Sequence, residues 1–277
     1  MDRLSPEAAK RFAVNAALIE DSGDLFDLLC DALAHIRGHR VAYFHFPPFG
    51  SDPKRDMITI AYENFPDALV DGYLRNRLWT RAPDVLHGLN NGMPFRVDRM
   101  PGLFDGLRTE TDPDALRTGR AFKALLEGEN GIGFGTYGPQ GREGYYVYYF
   151  ERDRPPLTFE QSILLQAMGN TAHIKYCHLR EAEGHSELVH LSRREIEALT
   201  QVALGVPRKL IGAEMGLPET TVRSILRSSA VKFGIQGEDM TAAAIRAIAL
   251  GQVKRIDRRD DLVAVRTPEG RQVVRLP

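Results

Sequence analysis

The sequence predicts an α+β protein in two parts, a mixed domain over residues 1–180 and an all-α domain of four short helices over 191–250. Three observations carry this. Before residue 180, apolar residues recur at helical spacing in some stretches and as β-branched or aromatic runs in others; after residue 190 helical spacing dominates for 60 residues. Between them REAEGHSELVH is polar enough to serve as a linker over 181–190. The length of 277 residues also exceeds the roughly 100–200 residues of one domain.

The elements follow in chain order. Residues 8–19 and 25–36 have the apolar spacing of amphipathic helices, whereas HRVAYFHF (39–46), DMITIAY (56–62) and GYYVYYF (144–150) suit strands. Three or more strands with flanking helices make an α+β layer. Pro47-Pro48, Gly50, Asn90-Asn91-Gly92, Pro139 and Gly141 punctuate them as turns. Residues 158–180 read as one long helix capped by Thr158 with Gln161 at the third position, its apolar face being Ile163, Leu164, Ala167, Met168 and Ile174. That helix would close the first domain by packing across the sheet.

Four helical patterns come next, over 193–204, 208–215, 219–233 and 240–250. Gly205 with Pro207 ends the first, Gly216 sits in a tight turn after the second, and Gly234 with Gly237 closes the third. The extension over 251–277 holds LVAVR and RQVVRL around TPEG, a β-hairpin pattern that needs a packing partner because a lone hairpin is marginal in water.

Composition narrows the function. With 43% hydrophobic and 26% charged residues the chain is an ordinary globular protein. No apolar run reaches the roughly 18 residues of a membrane span, and the first residues have no signal-peptide core, so a cytoplasmic protein without a membrane partner is expected. Cys30 and Cys177 lack metal-ligand spacing and read as two buried thiols; no metal, cofactor or disulfide is expected. No histidine pair has HExxH spacing or stands beside a nucleophile motif, and GIGFGTYG follows no strand-to-helix transition, so no enzyme is expected. The net charge of −1 hides an asymmetry: from Val189 onward 15 Lys and Arg face 10 Asp and Glu, a balance of +5 that leaves −6 on the rest. The C-terminal third is the part that tolerates a polyanion.

RKLIGAEMGLPETTVRSILRSS is where pattern becomes chemistry. A helix-turn-helix needs a small residue in its first helix, a turn glycine and apolar residues that seat the second helix. Ala213, Gly216, Leu217, Val222, Ile225 and Leu226 supply these. With Val222 and Leu226 inward, Arg223 and Arg227 share an outward face one turn apart, where guanidiniums can fork onto N7 and O6 of guanine. Thr220, Thr221 and Ser224 bring short hydroxyls to the same helix, and Arg208 and Lys209 begin the preceding helix, which in this motif crosses the DNA backbone. Two arginines at this spacing ordinarily only solvate a helix; the turn glycine and the surrounding helices are what favour DNA.

The stretch LSRREIEALTQVALGVPRKLIGAEMGLPETTVRSILRSSAVKFGI resembles the DNA-binding domain of LuxR-type, quorum-sensing regulators, with Leu191, Arg194, Glu195, Glu197, Leu199, Gly205, Ile211, Ala213, Gly216, Thr221, Val222, Lys232 and Gly234 at the family's pattern positions. The resemblance implies that Arg223 and Arg227 read bases and that residues 240–250 form a dimerisation helix. Pro218 stands where the family commonly has a capping Ser, so the recognition helix lacks a capping oxygen.

More distantly, FPDALVDGYLRNRLWTRAPDVL, MPFRVD and NGIGFGTYGPQGREG resemble the family's autoinducer-binding domain, which implies an α/β/α sandwich. Tyr73, Pro83 and Gly131 match. Phe65 replaces a Tyr, Leu69 a Trp, Ala82 an Asp and Val97 another Trp; the implied pocket residues are Phe65, Leu69, Tyr73, Ala82, Val97 and Val147. In the family's acyl-homoserine-lactone receptors, Tyr, Trp and Asp hydrogen-bond the ligand. Each unpaired buried group costs about 1–3 kcal/mol, so losing three anchors weakens lactone binding by orders of magnitude. Asp84 and Trp79 compensate only if the local register shifts. The pocket is therefore expected either to take a different fatty or aromatic ligand or to be filled by its own side chains, and alternate residues of 145–149 either line it or form plain sheet core.

The expected protein is a dimeric, sequence-specific transcription regulator that does not answer to acyl-homoserine lactones. Its partners would be a palindromic double-stranded operator, a second copy of the chain, RNA polymerase and a small apolar ligand. The alternative is an interaction protein that traps an intact regulator in an inactive heterodimer.

Overall fold

A computed structural model describes residues 4–35, 38–48, 58–80, 82–100, 112–152, 155–182, 189–235, 239–253, 262–267 and 270–275. The chain divides into two compact units, Met1–Glu187 and Leu188–Pro277.

The first unit runs α1 (Pro6–Leu18), α2 (Ser22–His35), β1 (Gly38–Phe46), β2 (Thr59–Glu63), α3 (Asp67–Arg75), α4 (Pro83–Asn90), β3 (Phe95–Arg96), α5 (Pro113–Leu126), β4 (Asn130–Tyr137), β5 (Glu143–Phe150) and α6 (Phe159–Ala182). The strands form one sheet in the order β2-β1-β5-β4-β3, antiparallel at every pairing. Val41, Tyr43, Ile132, Phe134, Tyr146 and Tyr148 face one way and join a core with Phe12 of α1, Leu29 of α2 and Leu165 and Met168 of α6. Ala42, Phe44, Tyr145, Val147 and Tyr149 face the other and pack with Val85 of α4, Val97 and Tyr73 of α3. A sheet buried on both faces has no polar side to alternate with, which is why GYYVYYF is apolar or aromatic at nearly every position.

The glycines of β4 have a use on the second face. Gly131, Gly133 and Gly135 alternate with Ile132, Phe134 and Thr136, and a Cβ on Gly135 would collide with the Gly88 carbonyl of α4. Helix α4 thus lies directly on strand backbone. Helices α3, α4 and α5 are amphipathic, but α3 and α4 span only nine and eight residues, and none of the three was expected from the sequence.

Helix α6 begins as expected: the Gln161 N–H donates to Thr158 Oγ1 at 3.2 Å and the Thr158 N–H to Gln161 Oε1 at 3.0 Å. Its apolar face is corrected in part: Met168 is buried and Leu164 packs on the core as expected, but the rest of the face is shifted. The buried residues are Ser162, Leu165, Met168, Gly169, Ala172, His173, Tyr176, Cys177 and Leu179, whereas Ala167 and Ile174 are exposed. Small residues win the buried face because the sheet beneath is aromatic: a Cβ on Gly169 would lie 2.7 Å from the Phe134 ring. The two thiols also differ, Cys177 being buried and Cys30 half-buried.

The second unit holds α7 (Arg193–Ala203), α8 (Arg208–Met215), α9 (Glu219–Lys232) and α10 (Met240–Ala249), then the antiparallel strands β6 (Leu262–Thr267) and β7 (Gly270–Arg275). One core unites the helices through Leu199, Ile211, Val222, Leu226, Ala243 and Ala247. Helix α7 starts with a reciprocal cap in which the Glu195 N–H donates to Ser192 Oγ and the Ser192 N–H to Glu195 Oε2. Gly205, Gly216 and Gly234 take left-handed φ of 74°, 64° and 66° at the helix ends, conformations that cost a glycine nothing. No helix among the described residues is long and apolar enough to cross a membrane. Expectations at Ile36, Gly50, Asp56, Met57, Gly237, Pro268 and Glu269, and over 183–188 and 254–261, lie outside the described residues.

Candidate functional sites

Two places gather residues singled out in the sequence. The first is a cavity of about 100 Å³ on the α3–α5 face of the sheet. That is several times the roughly 10–15 Å³ one water needs on the same measure. Ala42, Phe44, Val147 and Tyr149 of the sheet form its floor, and Phe65, Tyr73, Ala82 and Phe122 stand among its walls. Four of the six expected pocket residues, Phe65, Tyr73, Ala82 and Val147, therefore meet here. Leu69 and Val97 do not. On α3 it is Val70, one residue further, that faces inward, and Val97 is fully buried beneath the strand glycines, where a Cβ on Gly133 would lie 2.8 Å from its methyl. The 145–149 run divides by strand alternation: Val147 and Tyr149 line the cavity, Tyr145 packs on the same face, and Tyr146 and Tyr148 point to the opposite core.

Asp84 brings the cavity its carboxylate. It lines the wall beside Pro83 and accepts a hydrogen bond from the Tyr145 hydroxyl at 3.1 Å. Removal from bulk water pushes its carboxyl above the usual range, against the Tyr145 and backbone hydrogen bonds that favour the ionised form. Burial likewise pushes the Tyr73 and Tyr149 phenols far up, with the Asp84 charge adding to it, so both hydroxyls stay protonated. Trp79 lies tilted against Tyr73 at 6.4 Å between ring centres but is not part of the lining. The lining is mostly apolar, with Asp84 its charged group beside the hydroxyls of Tyr62, Tyr73 and Tyr149.

The second place is the outer face of α9. Thr220, Thr221, Arg223, Ser224 and Arg227 are all exposed there, while Val222, Leu226, Ser229 and Ala230 are buried against the helical core. The face exists because Gly216 turns the chain and α8 packs tightly on the turn. A Cβ on Gly212 would lie 2.8 Å from the Leu217 carbonyl oxygen, whereas Ala213 is exposed. The close-packing small residue is therefore Gly212, not the expected Ala213. Pro218 occupies the N-cap of α9 with no side-chain cap, and its carbonyl accepts from the Thr221 and Val222 N–H groups at 3.0 and 3.1 Å. At the start of α8, Lys209 is exposed and Arg208 Nε lies 3.9 Å from Glu219 Oε1. The hydroxyls of Thr220 and Thr221 stand in the first turn of α9, where N–H groups and the helix dipole favour an anion.

A third grouping escaped the sequence reading. His45, His173 and Cys177 are buried together, with one ligand atom from each within 4.8 Å of the others. The signal was His173-x3-Cys177, one helical turn apart on α6, but their partner His45 comes from β1.

No protein-family model and no curated protein matches the sequence. Among solved structures, Escherichia coli SdiA superposes with a TM-score of 0.69 at 16% identity over 89% of this chain and 98% of that one. The chain has the fold of SdiA. A second SdiA structure, in complex with octanoyl-rac-glycerol, superposes with a TM-score of 0.67 at 15% identity over 90% of this chain and 96% of its own.

Proposed function

We propose that the chain is a LuxR-type transcription regulator that binds double-stranded DNA as a homodimer and takes an apolar, acyl-bearing ligand rather than an acyl-homoserine lactone. The DNA reading rests on one observation: Thr220, Thr221, Arg223, Ser224 and Arg227 share an exposed face of a helix fixed by a tight turn to the helix before it. That geometry is what major-groove recognition needs, with Arg223 and Arg227 for base edges and Lys209 for phosphate. Dimerisation is supported by Ile245 and Ile248, 49% and 50% exposed and three residues apart on α10, an apolar pair on one face of the helix.

The ligand reading rests on the cavity wall. Its apolar lining suits an alkyl chain, and the Asp84 carboxylate accepts from a hydroxyl-bearing head. Octanoyl-rac-glycerol, the partner in the second SdiA structure, has both features, which makes it the probe of choice. For a lactone, Phe65 and Ala82 remove two anchors, and the Asp84 carboxylate is the acidic acceptor left in the lining.

Selection of bound fragments from random DNA tests the first part: wild type should enrich a palindrome, and an Arg223→Ala, Arg227→Ala double variant should not. Enrichment that survives the double substitution would refute the assignment. For the second part, octanoyl-rac-glycerol at a hundredfold excess over its Kd should raise Tm by roughly 5–10 °C. Tight, saturable binding of acyl-homoserine lactones would overturn it.

A further inference from the structure

We infer that His45, His173 and Cys177 form a buried site for one soft transition-metal ion, Cu(I), held between the sheet and α6. The site is built by register. His45 of β1, Gly144 of β5 and Thr136 of β4 are directly paired across three strands, and all three positions face α6. Gly144, in the middle of the row, lets the His173 ring lie directly on the sheet: a Cβ there would lie 2.7 Å from His173 Nδ1 and would also meet Thr136 Oγ1. Gly138, in the β4–β5 turn, does the same for the donor atoms, since its Cβ would lie 2.8 Å from Cys177 Sγ and 2.9 Å from His173 Nε2. Two glycines thus let two imidazoles and a thiol pack together against strand and turn backbone.

The distances fit a metal. Ions of this class sit about 2.0–2.1 Å from imidazole nitrogen and about 2.3 Å from sulfur, which places N and S roughly 3.5–3.8 Å apart in tetrahedral or trigonal geometry. His173 Nε2 and Cys177 Sγ are 3.7 Å apart. The third ligand atom, on His45, lies within 4.8 Å of both. The outer partner is present too. The Tyr43 hydroxyl lies 2.7 Å from His173 Nδ1, and the His173 ring is also hydrogen-bonded to the Arg142 backbone, so two contacts fix its orientation beside the thiol. Thr136 Oγ1, fully buried and paired with Gly144 beside the three ligands, has no hydrogen-bond partner among the described residues.

Charge selects the ion. The Arg142 guanidinium is buried nearby, its field acting on both histidines, and it pairs with Glu181 Oε1 at 3.3 Å. A further net positive charge in this setting is costly. Binding Cu(I) forms one Cu–S and two Cu–N bonds and releases the thiol proton to solvent, leaving the centre neutral. Zn(II) with the same ligands carries +1. Thiolate and imidazole are also the ligands soft Cu(I) prefers.

Anaerobic titration of the reduced full-length chain with Cu(I), against a chromophoric competing chelator, tests the site alongside a thermal melt. One ion per chain and a raised Tm are expected. Cys177→Ser should weaken binding at least 100-fold, Tyr43→Phe roughly 10-fold, and Cys30→Ser not at all. Gly138→Ala, which keeps every ligand residue but drives a Cβ against Cys177 Sγ and His173 Nε2, should also abolish binding, so the conclusion does not depend on Cys177→Ser folding. Binding unaffected by both Cys177→Ser and Gly138→Ala, no Cu(I) retained by wild type, or tighter retention of Zn(II) than Cu(I) would each overturn the assignment.

Discussion

Single atoms decide several features of this chain. Gly135 lets α4 rest on β4 because the Gly88 carbonyl occupies the place of its Cβ. Gly135→Ala should push α4 from the sheet and destabilise the first unit by about 1–3 kcal/mol, read as a shift in the denaturation midpoint; an unchanged midpoint would mean that α4 is free to move. Because α4 carries Asp84 and α3 carries Tyr73, the same change should weaken ligand binding in the cavity. On the exposed face of α9, Arg223→Ala and Arg227→Ala should each cost about 1–3 kcal/mol against the preferred operator and relax specificity at one base pair. Lys209→Ala should instead weaken binding to all sequences alike and lower the slope of log K against log salt by about 1. Fluorescence anisotropy across a salt series separates these two behaviours.

At the scale of elements, the contact between α7 and α9 is electrostatic as well as apolar. Glu195 accepts from Lys232 Nζ at 2.7 Å, from Ser228 Oγ at 2.8 Å and from the Ser192 N–H at 2.7 Å. Burial alone would raise its carboxyl, but these hydrogen bonds outweigh that and hold it at about 2 against 4.5 for a free Glu. A carboxylate whose pKa is lower folded than unfolded stabilises the fold above the unfolded value and loses that contribution as pH falls. Amide protection factors in α7 and α9 should therefore be insensitive to this group above pH 4.5 and fall progressively between about 4.5 and 2, and Glu195→Gln should remove that dependence. The elements also show what a sequence displays. Helices α7 to α10 were legible because each buries one stripe and ends at a glycine or proline, and β1 and β5 were legible as aromatic runs. Helices α3 and α4, though amphipathic, run for only nine and eight residues, too short for a repeating stripe to stand out. The buried face of α6 was misplaced because Gly169, Ala172 and His173 fit an aromatic sheet better than the bulkier Ile174 does. Likewise, Phe65, Tyr73 and Ala82 were found through resemblance, whereas the His45–His173–Cys177 grouping depends on strand register that no local pattern records.

For the whole molecule the proposed activity requires two copies, since one recognition helix contacts only a few base pairs and gains too little over random DNA. The two-fold relation must come from a surface that each copy presents identically, and an isologous contact through α10 meets that need. Ile245 and Ile248 are its centre, with Ala243, Ala244 and Ala247 turned inward to the core of the same helix. Replacing both isoleucines with Glu puts four like charges into a dimer contact, which should raise the concentration for half-dimerisation of a fragment spanning the second unit at least tenfold in sedimentation, without altering its helix content. The same geometry fixes the operator. Two helices related by a dyad enter successive major grooves about 34 Å apart, one turn of DNA. Inserting about 5 base pairs between half-sites rotates one to the opposite side of the duplex and should reduce affinity to that of a single half-site, while inserting about 10 restores the facing and leaves only the cost of spanning an extra turn. Equal affinity at all three spacings would show that each copy binds on its own, and the dimeric mechanism would fail.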